Sequence, residues 1–387
     1  MAMKYSPSMA RSATALAAAT LCVNAVLQPQ AMAQGCVAVR GGGMCTMNHA
    51  GMGEDAAEHG PWLASVGYRF FKSDRHFIGG NESRNAAGLD RFQQGTEVIN
   101  YSQFIDTSVT YQFNPRWSAS LVLPWVHHIR SAPYEHSGVR RDTSAMGIGD
   151  VRAIVGAWIW DPATKPKGNL QVSIGGKAPS GDFQADDTFF QDQDPTAGVN
   201  IQPVRRNVDQ SIQPGDGGWG VSWELNGYRE LTRGFFAYAQ AFYLFNPQNV
   251  NGTLNPTARR DAGPTIAGRD IDNGMSITDQ YLFRAGFSKV VSEKHNLSLS
   301  LGGRMEGIPV EDLNGNAGNE EGFRRPGYSI AIEPGINWMP GKWNVAITVP
   351  WRLEAQRERS YWNLQKGTRG DAAFADYLVT LSVSRWF

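Results

Sequence analysis

The sequence predicts an all-β protein that forms an antiparallel up-and-down transmembrane β-barrel of twelve strands. Segments of roughly ten residues alternate apolar and polar side chains, which is the pattern of a strand with two different faces. The gaps between these segments are alternately short and long, and the chain ends in an alternating segment whose last residue is Phe387. A soluble sandwich would share the alternation, so the rhythm of the gaps is what favours a barrel.

Composition excludes several other classes of protein. The 387 residues include 36 Lys and Arg, 36 Asp and Glu, and 11% aromatic residues. After residue 33, no uncharged apolar run approaches the roughly 20 residues that a membrane-spanning helix needs. A formal net charge of zero gives no general attraction to nucleic acid. The aromatic content argues against a disordered chain, so we expect an ordered β protein that binds no nucleic acid.

Residues 1–33 have the features of a secretory signal peptide. Lys4 and Arg11 precede an apolar, Ala-rich stretch, and Ala31 and Ala33 fit a cleavage site directly after Ala33. The alternative is a membrane anchor, which the short apolar stretch matches less well. The signal implies export, and together with the barrel it predicts localisation in the outer membrane of a Gram-negative bacterium.

Residues 34–60 are predicted to form a flexible periplasmic segment before the barrel domain at 61–387. Cys36 and Cys45 are expected to form a disulfide, because an exported chain meets an oxidising compartment. The stretch also contains soft ligands of the kind that Cu(I) prefers, namely Met44, Met47, His49, Met52 and His59. No pair has the spacing of a zinc or haem site, so no metal is predicted. The segment could plug the barrel or hang in the periplasm.

The first strand shows the pattern that the other eleven repeat. Trp62, Ala64, Val66, Tyr68 and Phe70 fall on one face, with mainly polar or small residues between them. The predicted strands are 62–70, 105–113, 117–125, 151–159, 170–176, 219–225, 235–245, 281–287, 297–301, 328–338, 343–351 and 377–383.

The gaps place the two ends of the barrel. Short turns follow the even strands at 114–116, 161–168, 230–234, 292–296 and 339–342. Long polar loops follow the odd strands near 74–101, 128–147, 179–217, 247–276, 306–326 and 354–373. Short periplasmic turns, long extracellular loops, an even strand number and both termini on the short-turn side are typical of outer-membrane barrels. Closure is required because lipid offers backbone groups no hydrogen-bond partner.

Tryptophans predict two belts at the membrane interfaces. The belt at the short-turn end contains Trp62, Trp117, Trp158, Trp160, Trp338, Trp343 and Trp386, and the belt at the long-loop end contains Trp125, Trp219, Trp223 and Trp351. The last strand, which ends at Phe387, resembles the signal by which outer-membrane barrels are recognised for assembly. Expected partners are therefore the barrel-assembly machinery, outer-membrane lipid and lipopolysaccharide.

If the apolar faces meet lipid, the alternate positions face the lumen. The charged residues among them are candidates for a solute path: Arg69, Asp106, Asp150, Arg152, Lys177, Glu224, Arg284, Arg304, Glu333 and Arg352. Bases and acids are mixed, so strong ion selectivity is not expected. The same charges could instead form salt bridges that fill a narrow lumen. The aromatic residues predicted to point inward suit an apolar or aromatic solute: Phe71, Phe104, Trp158, Phe236, Tyr238 and Phe242.

Two glycine-rich motifs carry a family resemblance. Gly147-Ile148-Gly149-Asp150 opens the fourth strand, and Gly175-Gly176-Lys177-Ala178-Pro179-Ser180-Gly181-Asp182 closes the fifth. The pair resembles the outer-membrane family assigned to transport in the meta-pathway of phenol degradation, whose pattern usually has Thr in place of Ser180. The resemblance implies a transporter-like barrel for hydrophobic or aromatic compounds.

The residues of these motifs are expected to meet at the long-loop rim because the two strands are antiparallel neighbours. The rim residues are Gly147, Gly149, Asp150, Lys177, Pro179, Gly181 and Asp182. The glycines permit tight bends, and Lys177 can approach Asp150 or Asp182. The rim is either a structural clasp, which is favoured, or a solute site.

The functional prediction is an outer-membrane channel or transporter for small hydrophobic or aromatic solutes. The alternative is a non-conducting structural or surface-interaction barrel whose lumen is closed by ion pairs. No catalytic residue, cofactor or metal is predicted. The run Asp312-x-Asn314-x-Asn316 lacks the Gly and Glu of a calcium loop, and the aspartates of the third long loop are interpreted as solubilising. Whether the protein is a monomer or a homo-oligomer is left open.

Overall fold

The structure is a computed structural model, and it describes residues 60–192, 200–254, 274–314, 322–365 and 367–387. The predicted signal peptide and the segment with Cys36 and Cys45 lie outside these residues. None of the helices in the described part of the chain is long and apolar enough to cross a membrane.

The regular structure of the described chain is almost entirely strand, and the strands are labelled β1 to β19 in chain order. Their bounds are β1 Trp62–Ile78, β2 Asn81–Glu82, β3 Ile99–Gln112, β4 Trp117–Ala132, β5 Arg141–Ile148, β6 Arg152–Trp158, β7 Gly168–Lys177, β8 Asp186–Asp192, β9 Ile201–Asn207, β10 Gly220–Thr232, β11 Phe235–Phe245, β12 Val250–Leu254, β13 Gly274–Ser276, β14 Gln280–Ser292, β15 Leu297–Ile308, β16 Gly327–Trp338, β17 Trp343–Thr348, β18 Trp351–Arg357 and β19 Ala372–Trp386. Short helices lie at Tyr134–His136, Gln210–Ile212 and Tyr361–Gln365.

Twelve antiparallel barrel strands close into a ring. Each pairs with its sequence neighbour, and β19 pairs back with β1 from Leu63 and Trp386 at the short-turn end to Phe77 and Ala372 at the long-loop end. The barrel strands are β1, β3, β4, the pair β5 and β6, β7, β10, β11, β14, β15, β16, the pair β17 and β18, and β19. The predicted fold class and the strand number are therefore confirmed.

Two of the twelve barrel strands are interrupted without opening the wall. In the fourth, β5 pairs with the long-loop half of β4 and β6 with its other half. Between them, the Gly149 N–H still donates to the Pro124 carbonyl at 2.8 Å. In the eleventh, the break falls at Val349 and Pro350, and the Pro350 carbonyl accepts from the Leu378 N–H at 3.1 Å. Proline lacks an N–H for the ladder, so a break is expected there.

The alternation of the sequence separates two chemically different walls. On β1, the Arg69 side chain points inward and the residue is 3% exposed, whereas Val66 is 51% exposed on the outside. Outward residues on other strands, such as Leu121, Ile174 and Leu301, are about as exposed as Val66. The outer wall is thus an apolar band and the inner wall is polar and buried.

The predicted tryptophan belts are correct for most of their members and wrong for two. Trp125, Trp223 and Trp351 are exposed at the long-loop end, and Trp62 and Trp117 at the other. Trp158 and Trp386 are instead buried, because both occupy inward positions of their strands. Trp158 packs edge-on against Tyr228, with ring centroids 6.0 Å apart.

The long loops contain more structure than their polarity predicts. Strand β1 continues to Ile78 and β4 to Ala132, and β8 and β9 form a separate hairpin. Beyond the apolar band both faces of a strand are polar, so pairing continues where the alternation stops. Val208 and Ile212, which follow the hairpin, are fully buried against Ala145.

Candidate functional site

Each of the ten charged residues predicted to face the lumen has an oppositely charged neighbour. Arg69 on β1 and Asp106 on β3 form one pair, in which Arg69 Nε donates to Asp106 Oδ2 at 2.8 Å. Both side chains are almost completely buried. The Phe104 ring centroid lies 4.3 Å from the guanidinium carbon of Arg69.

A larger network crosses β11, β14, β15 and β16. Arg284 Nε donates to Glu333 Oε1 at 2.8 Å, and its Nη1 donates to Gln240 Oε1 at 2.8 Å. Arg304 lies 3.5 Å from the other oxygen of Glu333 and makes two 2.9 Å hydrogen bonds to Glu306. Two guanidinium groups thus share two carboxylates, which keeps this part of the inner wall neutral.

Two further pairs lie on other parts of the inner wall. Arg152 Nη1 lies 3.3 Å from Glu224 Oε1 and spans from β6 to β10. Arg352 on β18 pairs with Asp376 on β19 and also donates to the Ala375 carbonyl at 3.0 Å. Acids and bases are therefore paired at several places on the inner wall.

The glycine-rich motifs meet at the long-loop rim, as their strand order requires. Ser180 Oγ accepts a hydrogen bond from the Val151 N–H at 2.8 Å and donates to the Gly149 carbonyl at 3.0 Å. Asp150 accepts from the N–H groups of Gly181 at 3.0 Å and Asp216 at 3.1 Å. These contacts bind the fourth strand to the fifth and to the loop before β10.

Lys177 lies at the centre of this rim. Its ammonium lies 3.5 Å from Asp150 and bonds directly to Asp216, and its side chain is almost completely buried. The carboxylate of Asp182 instead accepts from the Gln184 N–H at 2.8 Å. Of the two predicted neighbours of Lys177, the structure places Asp150 against it and gives Asp182 this other partner.

Four of the six predicted inward aromatics are buried, and Phe236 and Tyr238 are half-buried. Phe71 and Phe104 stack with centroids 6.1 Å apart and pack with Val126 and Leu378. Phe242 packs against Leu244 and Leu282 and lies 5.5 Å from the guanidinium of Arg152. The inner wall therefore combines ion pairs with apolar clusters.

A cavity of about 580 Å³ is lined by the long loops together with the long-loop ends of barrel strands. Four arginines line it, namely Arg91, Arg130, Arg325 and Arg357, together with Asp371 and His76. Burial alone would raise the pKa of Asp371, but its hydrogen bond to His76 and the charge of Arg91 lower that pKa to about 2. The cavity thus has several cationic groups and one firmly ionised carboxylate.

Asp209 does not line the cavity but contacts two of its arginines, Arg325 and Arg130. It accepts from Arg325 at 2.9 and 2.7 Å and lies 3.7 Å from Arg130. Burial would raise the pKa of Asp209, but the charges of Arg130 and Arg325 outweigh it and hold that pKa well below its ordinary value. Arg130 also pairs with Glu135 at 2.9 Å.

The sequence missed several of these residues. Glu306 had a signal, because it lies two positions after Arg304 and so shares its face of β15. Asp216 and the cavity residues had none, because they lie in loops or in strand ends beyond the predicted strand bounds. Asp376 lies one position before the predicted last strand, 377–383, and so outside the predicted inward positions.

The aspartates of the candidate metal motifs instead form ion pairs and a backbone hydrogen bond. Asp312 is fully buried and pairs with Arg324 at 2.6 Å. Asp186 pairs with Arg205, and Asp187 accepts from the Ser144 N–H at 2.7 Å. Within the described ranges, no cluster of three or more His, Cys, Asp or Glu could hold a metal ion.

Comparison with known proteins finds similar barrels among solved structures. No family profile matches the chain. No curated protein matches it either. The COG4313 outer membrane channel from Pseudomonas putida F1 is 13% identical, with 85% of this chain and 96% of that chain covered and a TM-score of 0.49. The Pseudomonas putida toluene transporter TodX is 9% identical, with 92% and 97% covered and a TM-score of 0.42.

A third similar structure is the translocator domain of the autotransporter NalP from Neisseria meningitidis. It is 12% identical, with 85% of this chain and 89% of that chain covered and a TM-score of 0.44. At these values the likeness extends to the barrel and no further. The fold assignment rests on the strand pairing of the chain itself.

Proposed function

We propose that this protein is an outer-membrane channel for small hydrophobic or aromatic solutes. The observation that carries the proposal is the closed barrel with an apolar outer band and a polar inner wall that also contains aromatic clusters. Water makes a continuous apolar band unfavourable, whereas the hydrocarbon of a bilayer matches it. The predicted signal peptide and the terminal Phe387 support export and barrel assembly.

Buried rings beside guanidinium groups support the solute class. Such a wall combines aromatic rings with the cation–π contacts of Arg69 and Arg152, and it has no ring of one charge. The mixed ion pairs support weak ion selectivity. The phenol meta-pathway resemblance, based on the rim motifs, supports the same class.

The proposal is tested by planar-bilayer recording and by uptake into liposomes. We expect small conductance steps and faster uptake of toluene or phenol than of a disaccharide. Glu224→Gln should shift the selectivity toward anions, because it leaves the Arg152 charge uncompensated. Arg233→Gln, at an exposed short turn, is the matched control and should change nothing. Silent bilayers together with no uptake of any solute would reject the channel.

The second candidate is a non-conducting barrel that acts through its loops. The observation in its favour is that all ten predicted lumen charges are ion-paired. Under this alternative, Glu224→Gln destabilises the barrel and creates no conductance. The same recordings therefore decide between the two functions.

A further inference from the structure

The cavity between the long loops has a chemistry that the barrel alone does not specify. Its volume of about 580 Å³ falls in the range of sites for small organic ligands. Four guanidinium groups and one carboxylate line it, and Arg91 pairs with that carboxylate, Asp371, at 2.6 Å. Glu135 and Asp209 pair with Arg130 and Arg325 from outside the lining. Each guanidinium has five N–H donors, so an arginine that already pairs with one carboxylate can donate to a second, and the lining suits a single small carboxylate.

The arginines are held in place before any ligand arrives. Asp209 is completely buried and bonds Arg325 through both carboxylate oxygens. Arg357 donates to the Pro326 carbonyl at 3.3 Å and to Asn363 Oδ1 at 3.0 Å. Fixed donors lose little side-chain entropy on binding, which favours affinity.

Aromatic rings form another part of the same lining. Phe323 lies 4.9 Å from the guanidinium carbon of Arg325, and Trp362 packs edge-on against Phe323 with centroids 6.4 Å apart. Tyr134 also lines the cavity. A planar ring can therefore pack against apolar faces while its charged substituent meets an arginine.

The inner wall of the barrel next to the cavity also contains arginine side chains packed against aromatic rings. Ala372 lines the cavity and also packs with Phe77. The guanidinium of Arg352 lies 4.7 Å from the Phe77 ring centroid, and Arg69 follows over Phe104 at 4.3 Å. The inner wall next to the cavity thus repeats the arginine–phenylalanine pairing.

We infer that this cavity binds a small aromatic monocarboxylate, with the carboxylate at Arg325 and Arg357 and the ring against Phe323 and Trp362. The inference deepens the proposed function, on which its transport part rests: the solute is an aromatic acid rather than a neutral hydrocarbon. Toluene offers no charge to the arginines, and acetate offers no ring to the aromatic wall.

Binding of radiolabelled benzoate, toluene and acetate to the full chain in detergent tests this inference without requiring conduction. We expect saturable benzoate binding, with toluene and acetate at least tenfold weaker. Arg325→Gln should weaken benzoate at least tenfold, whereas Arg205→Gln, which removes the same charge from the exposed hairpin, should not. Trp362→Leu should also weaken benzoate while leaving all charges in place, which keeps the test valid if Arg325→Gln does not fold.

The outcomes separate the two proposals. Benzoate binding by a protein that is silent in bilayers would support the site and reject the channel. Conduction without benzoate binding, or toluene binding as tight as benzoate, would overturn the aromatic-acid site and leave the channel standing. Equal benzoate affinity in Trp362→Leu and the unmodified protein would also overturn it.

Discussion

Arg69 and Asp106 face each other from neighbouring strands, joined by a 2.8 Å hydrogen bond inside the barrel. Neither side chain has more than a few per cent of its surface exposed. Removing one partner leaves the other charge buried, which costs about 3–5 kcal/mol in comparable pairs. Asp106→Asn should therefore lower the midpoint of urea unfolding in lipid vesicles.

The double variant Arg69→Met with Asp106→Leu is the control for this prediction. It removes both charges, so its stability should return most of the way to that of the unmodified protein. A double variant less stable than Asp106→Asn would show that the pair contributes through more than charge neutralisation.

Gly302 makes room for an inward tyrosine. A methyl group on Gly302 would lie 2.7 Å from the Ala285 carbonyl oxygen and would also meet the Tyr238 hydroxyl. Gly302→Val should lower the unfolding free energy by about 1–3 kcal/mol through overpacking. Gly303→Val is the matched control, since nothing lies within 4 Å of its added carbon. Similar losses in both variants would contradict the packing explanation.

The Ser180 hydroxyl serves two backbone groups of the fourth strand at once. Ser180→Ala removes this partner from the Val151 N–H and the Gly149 carbonyl, and should cost about 0.5–1.5 kcal/mol because Ser180 is exposed to water. Limited proteolysis of the loop before β10 should become faster. Ser180→Thr keeps the hydroxyl and should behave as the unmodified protein. Slow proteolysis of Ser180→Ala would show that Asp150 alone holds the rim.

Acid should loosen the loops around Asp209. The folded-state pKa of Asp209 lies well below its ordinary value, whereas an unfolded aspartate titrates near about 3.9. The unfolded chain therefore binds more protons in acid, so the stabilisation is complete above about pH 4 and is lost as the pH falls through the folded-state pKa. Hydrogen exchange of residues 208–214 between pH 6 and pH 2.5 measures this loss, after correction for the intrinsic exchange rate. Asp209→Asn should already exchange fast at pH 6.

The barrel could be predicted from the sequence because side chains along each strand face lipid and the interior in turn, which gives an alternation with a period of two residues. Val66 and Arg69 fall on opposite walls by parity alone, and lipid on one side enforces that parity along each strand. The belt prediction was wrong for Trp158 and Trp386 because it used only their position near the short-turn end. A tryptophan at that height can still occupy an inward position of its strand.

The mouth of the barrel could not be predicted in the same way. Asp209 and Arg325 lie in loops far apart in sequence, and Arg130 lies at the long-loop end of β4, beyond the alternation of the predicted strand. Their meeting depends on how separate loops fold against each other. Asp216 meets Lys177 for the same reason. The loop before β10 carries Asp216 to the end of β7, and this contact has no signal in the sequence.

The pairing of β1 with β19 makes the order of synthesis matter. The first barrel strand to be made, β1, pairs with the twelfth, β19, so the ring cannot close until the ribosome has produced β19. Until then both edges have unsatisfied backbone groups and attract other extended chains. Contacts this distant in sequence also fold slowly. Premature termination before Ala372 should therefore yield an aggregating chain rather than a smaller barrel.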